Sequence, residues 1–377
     1  MLADASTQQD SYQEILEKLY PMATGYGSSV DKEMTVFRGV VHRDNLEAFY
    51  ELFSQAILQP AFTQEDFDRI KSQWVNYVER GRRFQRDEEL SKELLFWMAY
   101  RGTPYEHPEE GYVQSVKSIT LDDVKQFYAD HYRRGSVVVG VGGGYPDGFP
   151  ARVRADFDAL PEGTAPAVVA PQPQMPDGVK VLLVEKDTDA SAISFGFPID
   201  VVRGDEDFWE LYLAATWLGE HRSSVGQLYQ VIRERRGMNY GDYAYVEAFP
   251  RGYTTQERPV NYSRRSQLME VWIRPISETA PGNLHDRTLF ATRAGWRELE
   301  KMVSGGLPLA EVERAKEYLY NFSVTYGSTI GRRLAYAIDD AFYVLPEPGF
   351  LGSIRPALET ISVESLGEAL AEHLQSE

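Results

Sequence analysis

Ile119-Thr-Leu-Asp-Asp-Val-Lys-Gln-Phe-Tyr-Ala-Asp-His131 and Ile361-Ser-Val-Glu-Ser-Leu-Gly-Glu-Ala-Leu-Ala-Glu-His373 decide the fold. Each reads as a hydroxyl N-cap followed by an amphipathic helix, and Thr120 with Asp123 has the spacing of a capping box. A second pair precedes them in the same order. Thr63 to Gly81 aligns without gaps with Pro308 to Tyr326, matching Arg69, Lys71 and Asn76 to Arg314, Lys316 and Asn321. Two ordered matches at nearly the same offset indicate an internal duplication.

The boundary between the copies lies at Pro161 to Gly178, where five prolines in eighteen residues prevent a helix or a central strand. The expected organisation is a domain at 1–160, a linker at 161–178 and a domain at 179–377. Strands are expected at Met34–Val41, Ser136–Gly142, Val179–Val184, Ala190–Phe197, Asp242–Ala248 and Met269–Ile276, all rich in β-branched and aromatic residues. Helical periodicity covers Asp44–Leu58, Gln64–Arg82, Asp207–Leu218, Ser224–Arg236, Asp286–Val303, Leu309–Tyr326 and Thr329–Phe342. Runs of helices between strands indicate α+β: two homologous α/β sandwich domains, each a mixed or antiparallel sheet with helices on one face.

Composition narrows the function. The formal charge of -18 disfavours nucleic acid, whose phosphates an acidic surface repels. With no cysteine, disulfides, thiolate chemistry and Cys-type zinc sites are excluded. The first ten residues lack the basic and apolar regions of a signal peptide, and no stretch has the length of a transmembrane span. Cytoplasm and periplasm remain equally open.

Several segments together resemble the pitrilysin/insulinase (inverzincin) metallopeptidase family, in the branch that contains mitochondrial processing peptidase. Leu228-Tyr-Gln-Val-Ile-Arg-Glu-Arg-Arg-Gly237-Met-Asn-Tyr240 is similar to its R-E-x-R-G-L-x-Y signature. Gly102-Thr-Pro-Tyr-Glu-His-Pro108 resembles its HPY-type loop, and Met34-Thr-Val-Phe37 its T-V-Y strand. The resemblance implies paired α/β domains closing on a peptide chamber. It also implies zinc held by H-x-x-E-H and a distant glutamate, where two histidines one helical turn apart share the metal.

This sequence departs from that pattern. None of His42, His107, His131, His221, His285 and His373 lies four residues from another, and each reads as a surface or loop histidine. Counting back from Thr35, Met1 falls at the motif's second histidine, so the N-terminal domain is expected to lack its first elements. Counting forward, the third ligand's position is Tyr77 and the acidic position two turns earlier is Ile70. A neutral tyrosine is a poor zinc ligand. Glu79 is turned away from the site by two residues of helix.

The resemblance therefore implies a non-catalytic subunit of a heterodimeric peptidase. Arg233 and Tyr240 would hold an extended peptide near zinc carried by a partner, either a zinc-bearing homologous subunit or a second copy. Thr24, Gly25, Tyr26 and Gly27 begin the stretch Thr24–Val30, whose small residues suit either an exposed edge for strand addition by that peptide or a flexible Gly/Ser turn. An active zinc metalloendopeptidase whose motif lies upstream, and a structural core-type assembly subunit, are the alternatives. Arg251 to Gln267, polar and arginine-rich, is expected as a solvated loop, with docking of an acidic partner as the other reading.

Overall fold

The computed structural model describes residues 1–82, 87–167, 169–173, 175–220, 223–247, 261–275 and 283–374, with only the backbone at 81, 82 and 240. In chain order the helices and strands are α1 (Tyr12–Leu19), β1 (Tyr26–Val30), β2 (Thr35–Gly39), α2 (Leu46–Leu58), α3 (Gln64–Asn76), α4 (Asp87–Ala99), α5 (Val113–Ser118), α6 (Leu121–His131) and α7 (Phe149–Phe157). There follow β3 (Ile193–Ile199), α8 (Phe208–Gly219), β4 (Asn239–Tyr245), β5 (Gln267–Pro275), α9 (Leu284–Gly305), α10 (Leu309–Phe322), α11 (Ile330–Tyr343), α12 (Gly349–Thr360) and α13 (Val363–Leu374). Short π-helical stretches run over Tyr77–Arg82 and Tyr229–Glu234. The class is α+β, as expected.

Two compact units form: Met1–Gln85 with His107–Val169, and Arg86–Glu106 with Ala170–Glu377. The first unit contains an antiparallel hairpin, β1 on β2, where a larger sheet was expected. Its core gathers Tyr50 and Ile57 of α2 with Phe149, Val153 and Phe157 of α7.

The second unit has an antiparallel sheet in the order β3-β5-β4. One face, including Met269, Val271, Ile273 and Ala244, meets α8 to α13 in the main core. The expectation of helices on one face alone is corrected here, because α4 covers the other. Ser91 hydrogen-bonds Ser194 at 2.8 Å, Lys92 lies 4.9 Å over the Trp272 ring, and Phe96 and Tyr100 pack with Leu268. A three-stranded sheet with Leu268 and Trp272 on its second face exposes too much apolar surface to leave that face in water.

The duplication reappears in detailed contacts. Lys71 Nζ donates to the Ile119 carbonyl at 2.6 Å, and Lys316 Nζ donates to the Ile361 carbonyl at 2.7 Å. Each lysine thus latches its helix to the residue preceding the N-cap of the later matched helix. Arg69 pairs with Asp66 one turn back, as Arg314 pairs with Glu311. Thr120 and Asp123 form the reciprocal capping box, and Ser362 and Ser365 reproduce it.

Two expected strands are not strands. Ser136–Gly142 and Val179–Val184 join no ladder among the described residues, and Val181 is 83% exposed. Alternating branched residues favour a strand only where a neighbouring edge accepts their hydrogen bonds. Both hairpin and sheet are completed by other segments.

Candidate functional site

The Arg233–Tyr240 segment folds as a short helix, a stop and a bulged strand. The helix expected over Ser224–Arg236 narrows to the π-helical Tyr229–Glu234, with Val231 and Ile232 buried. Gly237 ends it at φ +61, a left-handed conformation that glycine adopts without a Cβ clash. Gly237 N–H donates to the Arg233 carbonyl at 2.7 Å, and Met238 N–H donates to the Ile232 carbonyl at 3.2 Å. The chain then enters β4, where the register shifts between Asn239 and Asp242, leaving Tyr240 and Gly241 in an irregular stretch. Tyr240 is placed there by its backbone, and its side chain lies outside what is described.

Arg233 is half-buried, its guanidinium 5.0 Å over the Tyr229 ring. Its charge acts on Asp242, which is fully buried in β4. Burial pushes the Asp242 carboxyl up to about 7, against the opposing effects of an Asn239 hydrogen bond and the Arg233 charge. Asp242 Oδ2 and Asn239 Oδ1 are buried and accept no hydrogen bond among the described residues. The signature thus rests on an acid poised to change charge near neutral pH. Its spacing to Arg233 was visible in the sequence, but nothing there marked Asp242 as buried.

Thr24, Gly25, Tyr26 and Gly27 lie in the first unit. The Thr24 hydroxyl donates to the Val40 carbonyl, and the Tyr26 ring packs edge-on against Phe49 and Phe53. Burial pushes the Tyr26 hydroxyl up to about 12. Among the described residues β1 pairs only with β2, so its other edge has no strand partner. A Cβ at Gly25 or Gly27 would meet no atom within 4 Å.

Ile70 is half-buried in α3. Tyr77 closes that helix, its ring 5.5 Å from that of Trp74. Seven residues are two helical turns, so both lie on one face. Glu79 is exposed, 3.8 Å from Lys117. Ile70 and Tyr77 offer no carboxylate, and no two histidines in the 377 residues stand four positions apart.

The polar segment from Arg251 to Gln267 lies outside the described residues as far as 260, including Arg251 and Arg258. Its remainder is not solvated. Asn261, Ser263, Arg264, Ser266 and Gln267 are buried, with Arg264 stacked 5.0 Å over Phe96 of α4. Two charged clusters escaped sequence reasoning. Arg203 is buried in a two-pronged pair with Glu247 at 2.8 and 3.0 Å, joins Asp339 at 3.2 Å, and lies over the Phe350 ring. His373, expected as a surface or loop histidine, is instead clamped through Nδ1 to Asp200 at 2.7 Å and through Nε2 to Asp207 at 3.0 Å. Burial works against its charge, but the bonds to Asp207 and Asp200 outweigh it and hold the pKa above the ordinary histidine value.

The chain is similar to known proteins over most of its length. The family model for insulinase (peptidase family M16) matches residues 1–111, and that for the peptidase M16 inactive domain matches residues 118–271. An uncharacterized zinc protease of Streptomyces coelicolor is 31% identical over 151 residues, which are 38% of this chain and 32% of that protein. The non-peptidase homolog YmxG of Helicobacter pylori is 21% identical over 328 residues, covering 85% of this chain and 68% of the relative. The chain spans between a third and two thirds of the length of the curated relatives it matches. The crystal structure of a peptidase M16 inactive domain from Pseudomonas fluorescens superposes with TM-score 0.80 at 22% identity, covering all of this chain and 83% of that one. The relatives are bacterial zinc proteases and a non-peptidase homologue, which corrects the expected processing-peptidase branch. No helix among the described residues is long and apolar enough to cross a membrane. The chain belongs to the peptidase M16 (insulinase/pitrilysin) family.

Proposed function

We propose that this chain is a non-catalytic M16 subunit that binds extended peptide and works with a zinc-bearing homologous subunit. Ile70 and Tyr77 carry the reading: an apolar and a neutral side chain share the helix face where the family places carboxylates. The relative described as a non-peptidase homologue supports it. Arg233 and Tyr240 would donate to a substrate carbonyl as charge develops on its oxygen in the partner's site. The edge of β1 that has no strand partner among the described residues, entered through Thr24 and Gly25, would take the peptide backbone. A second reading, an active zinc metalloendopeptidase whose H-x-x-E-H lies outside these residues, draws on the relatives described as zinc proteases.

The test is cleavage of a fluorogenic extended peptide by the chain alone and together with a homologue carrying H-x-x-E-H. Turnover is expected only in the mixture. It should fall by about 10²-fold in Arg233→Ala and in Tyr240→Phe, the usual cost of losing one donor to a developing oxyanion. Undiminished turnover in both variants would remove the role assigned to the pair. Chelator-sensitive turnover by the chain alone would favour the second reading.

A further inference from the structure

The cluster around His373 lies outside the peptide-binding proposal and answers to a different chemistry. His373 stands in the last turn of α13, with 9% of its side chain exposed. Asp200 meets its Nδ1, and Asp207, the N-cap of α8, meets its Nε2. Glu372 adds a third carboxylate. Ligand atoms of Asp207, Glu372 and His373 lie within 4.8 Å of one another.

A neutral imidazole has one N–H and one lone pair. It donates to one carboxylate and turns its lone pair toward the other. Two carboxylates on the two ring nitrogens therefore require a positive charge between ring and acid: a second proton or a metal ion. The arrangement has the layout of a carboxylate–histidine–metal relay, with Asp200 fixing the tautomer through Nδ1–H, Nε2 facing Asp207, and a Glu372 carboxylate oxygen nearby. Ligands on one tetrahedral zinc sit roughly 3.3 Å apart at Zn–N and Zn–O distances of about 2.0–2.2 Å. The 3.0 Å between Nε2 and Asp207 already has that scale.

The surroundings favour a cation. Asp205 and Glu206 adjoin Asp207 in sequence and add negative charge, while the C-terminal end of α13 attracts a cation and the N-terminal end of α8 opposes it. The matched helix shows what is special here. His131 ends α6 as His373 ends α13, but it stacks at 4.2 Å on Phe127 and has no carboxylate clamp among the described residues. The cluster is thus present in one copy of the repeat and not in the other among the described residues.

We propose that Asp207, Glu372 and His373 form a binding site for a divalent transition-metal ion such as Zn²⁺, with Asp200 orienting the histidine. One imidazole and two carboxylates suit Zn²⁺, Co²⁺ or Mn²⁺ rather than Ca²⁺ or Mg²⁺, which take all-oxygen sites. Three protein ligands leave a position for water. Bound metal ties the end of α13 to the start of α8, whose Leu211, Leu213 and Leu218 lie at the centre of the core. On binding, the metal ion takes the place of the Nε2 proton, which leaves to solvent.

The experiment is isothermal titration of the tag-free full chain with Zn²⁺ near pH 7.5, paralleled by Co²⁺ with its visible absorption recorded. One saturable site per chain is expected. Proton release should be seen as a buffer-dependent enthalpy, and an equal concentration of Mg²⁺ should not compete. His373→Gln should abolish the cobalt spectrum. Asp200→Asn, a change at an exposed residue that leaves the core untouched, should weaken Zn²⁺ binding by about 10- to 100-fold, the usual effect of removing a histidine's orienting partner. Lack of a saturable site, or affinity unchanged in both His373→Gln and Asp200→Asn, overturns the proposal. Circular dichroism of each variant identifies loss of fold, and Asp200→Asn keeps the test open if His373→Gln unfolds.

Discussion

Asp242→Asn should convert a pH-dependent protein into a flatter and, above neutrality, more stable one. The wild-type carboxyl titrates at about 7 in the folded chain, because burial disfavours its charge more than Asn239 and Arg233 support it. Unfolded, it titrates near 3.9. Between those values the folded state keeps a proton that the unfolded state has released, so stability falls as pH rises through the window. Below about 4 and above about 7 this group contributes no slope. At ~1.36 kcal/mol per pH unit, the loss between pH 5 and pH 8 is about 3 kcal/mol. Asparagine has nearly the same shape, keeps an acceptor for the Asn239 amide, and does not titrate. Urea denaturation of both proteins at pH 5, 6, 7 and 8 isolates this group, since every other titration cancels in the difference. The curves should lie close together at pH 5 and separate by about 3 kcal/mol at pH 8, the variant being the more stable. Parallel curves, or a variant less stable at pH 8, would refute the assignment of a buried, neutral Asp242 beneath the Arg233 signature.

The two lysine latches should behave as equivalents. Lys71→Met and Lys316→Met should each cost about 1–2 kcal/mol in urea titrations, and their effects should add, since the two sites share no partner. Arg203→Met leaves Glu247 and Asp339 buried without their cation and should cost about 3–5 kcal/mol, read as a fall in the denaturation midpoint. Phe96→Ala removes the aromatic anchor of α4 and should cost about 3–5 kcal/mol. Limited proteolysis should then cut between Arg86 and Glu106 before any other site.

The parts legible in the sequence are those set by short-range chemistry. Thr120 with Asp123 specifies a cap within one turn, and the structure forms it. Lys71 and Lys316 matched in alignment because each reaches a fixed carbonyl in its own copy, so the register of the repeat was written in side chains that make the same bond. The illegible parts depend on long-range partners. Val179–Val184 has the composition of a strand and no ladder, since composition does not supply a neighbour. The signature Arg233 could be aligned, but the burial of Asp242 comes from packing around β4 that no local pattern encodes. His373 appeared isolated because its partners Asp200 and Asp207 lie far back along the chain.

The placement of α4 bears on how the protein is made. Asp87–Ala99 leaves the ribosome early, yet the sheet it covers is complete only when β5 has emerged, roughly 180 residues later. At about 5–20 residues per second that is a wait of roughly 10–40 s. During it Phe96 and Tyr100 have no native surface to meet. The second unit therefore cannot finish folding on its own stretch of chain. It needs a helix synthesised before the linker, and nascent-chain chaperones have a defined interval in which to guard that helix.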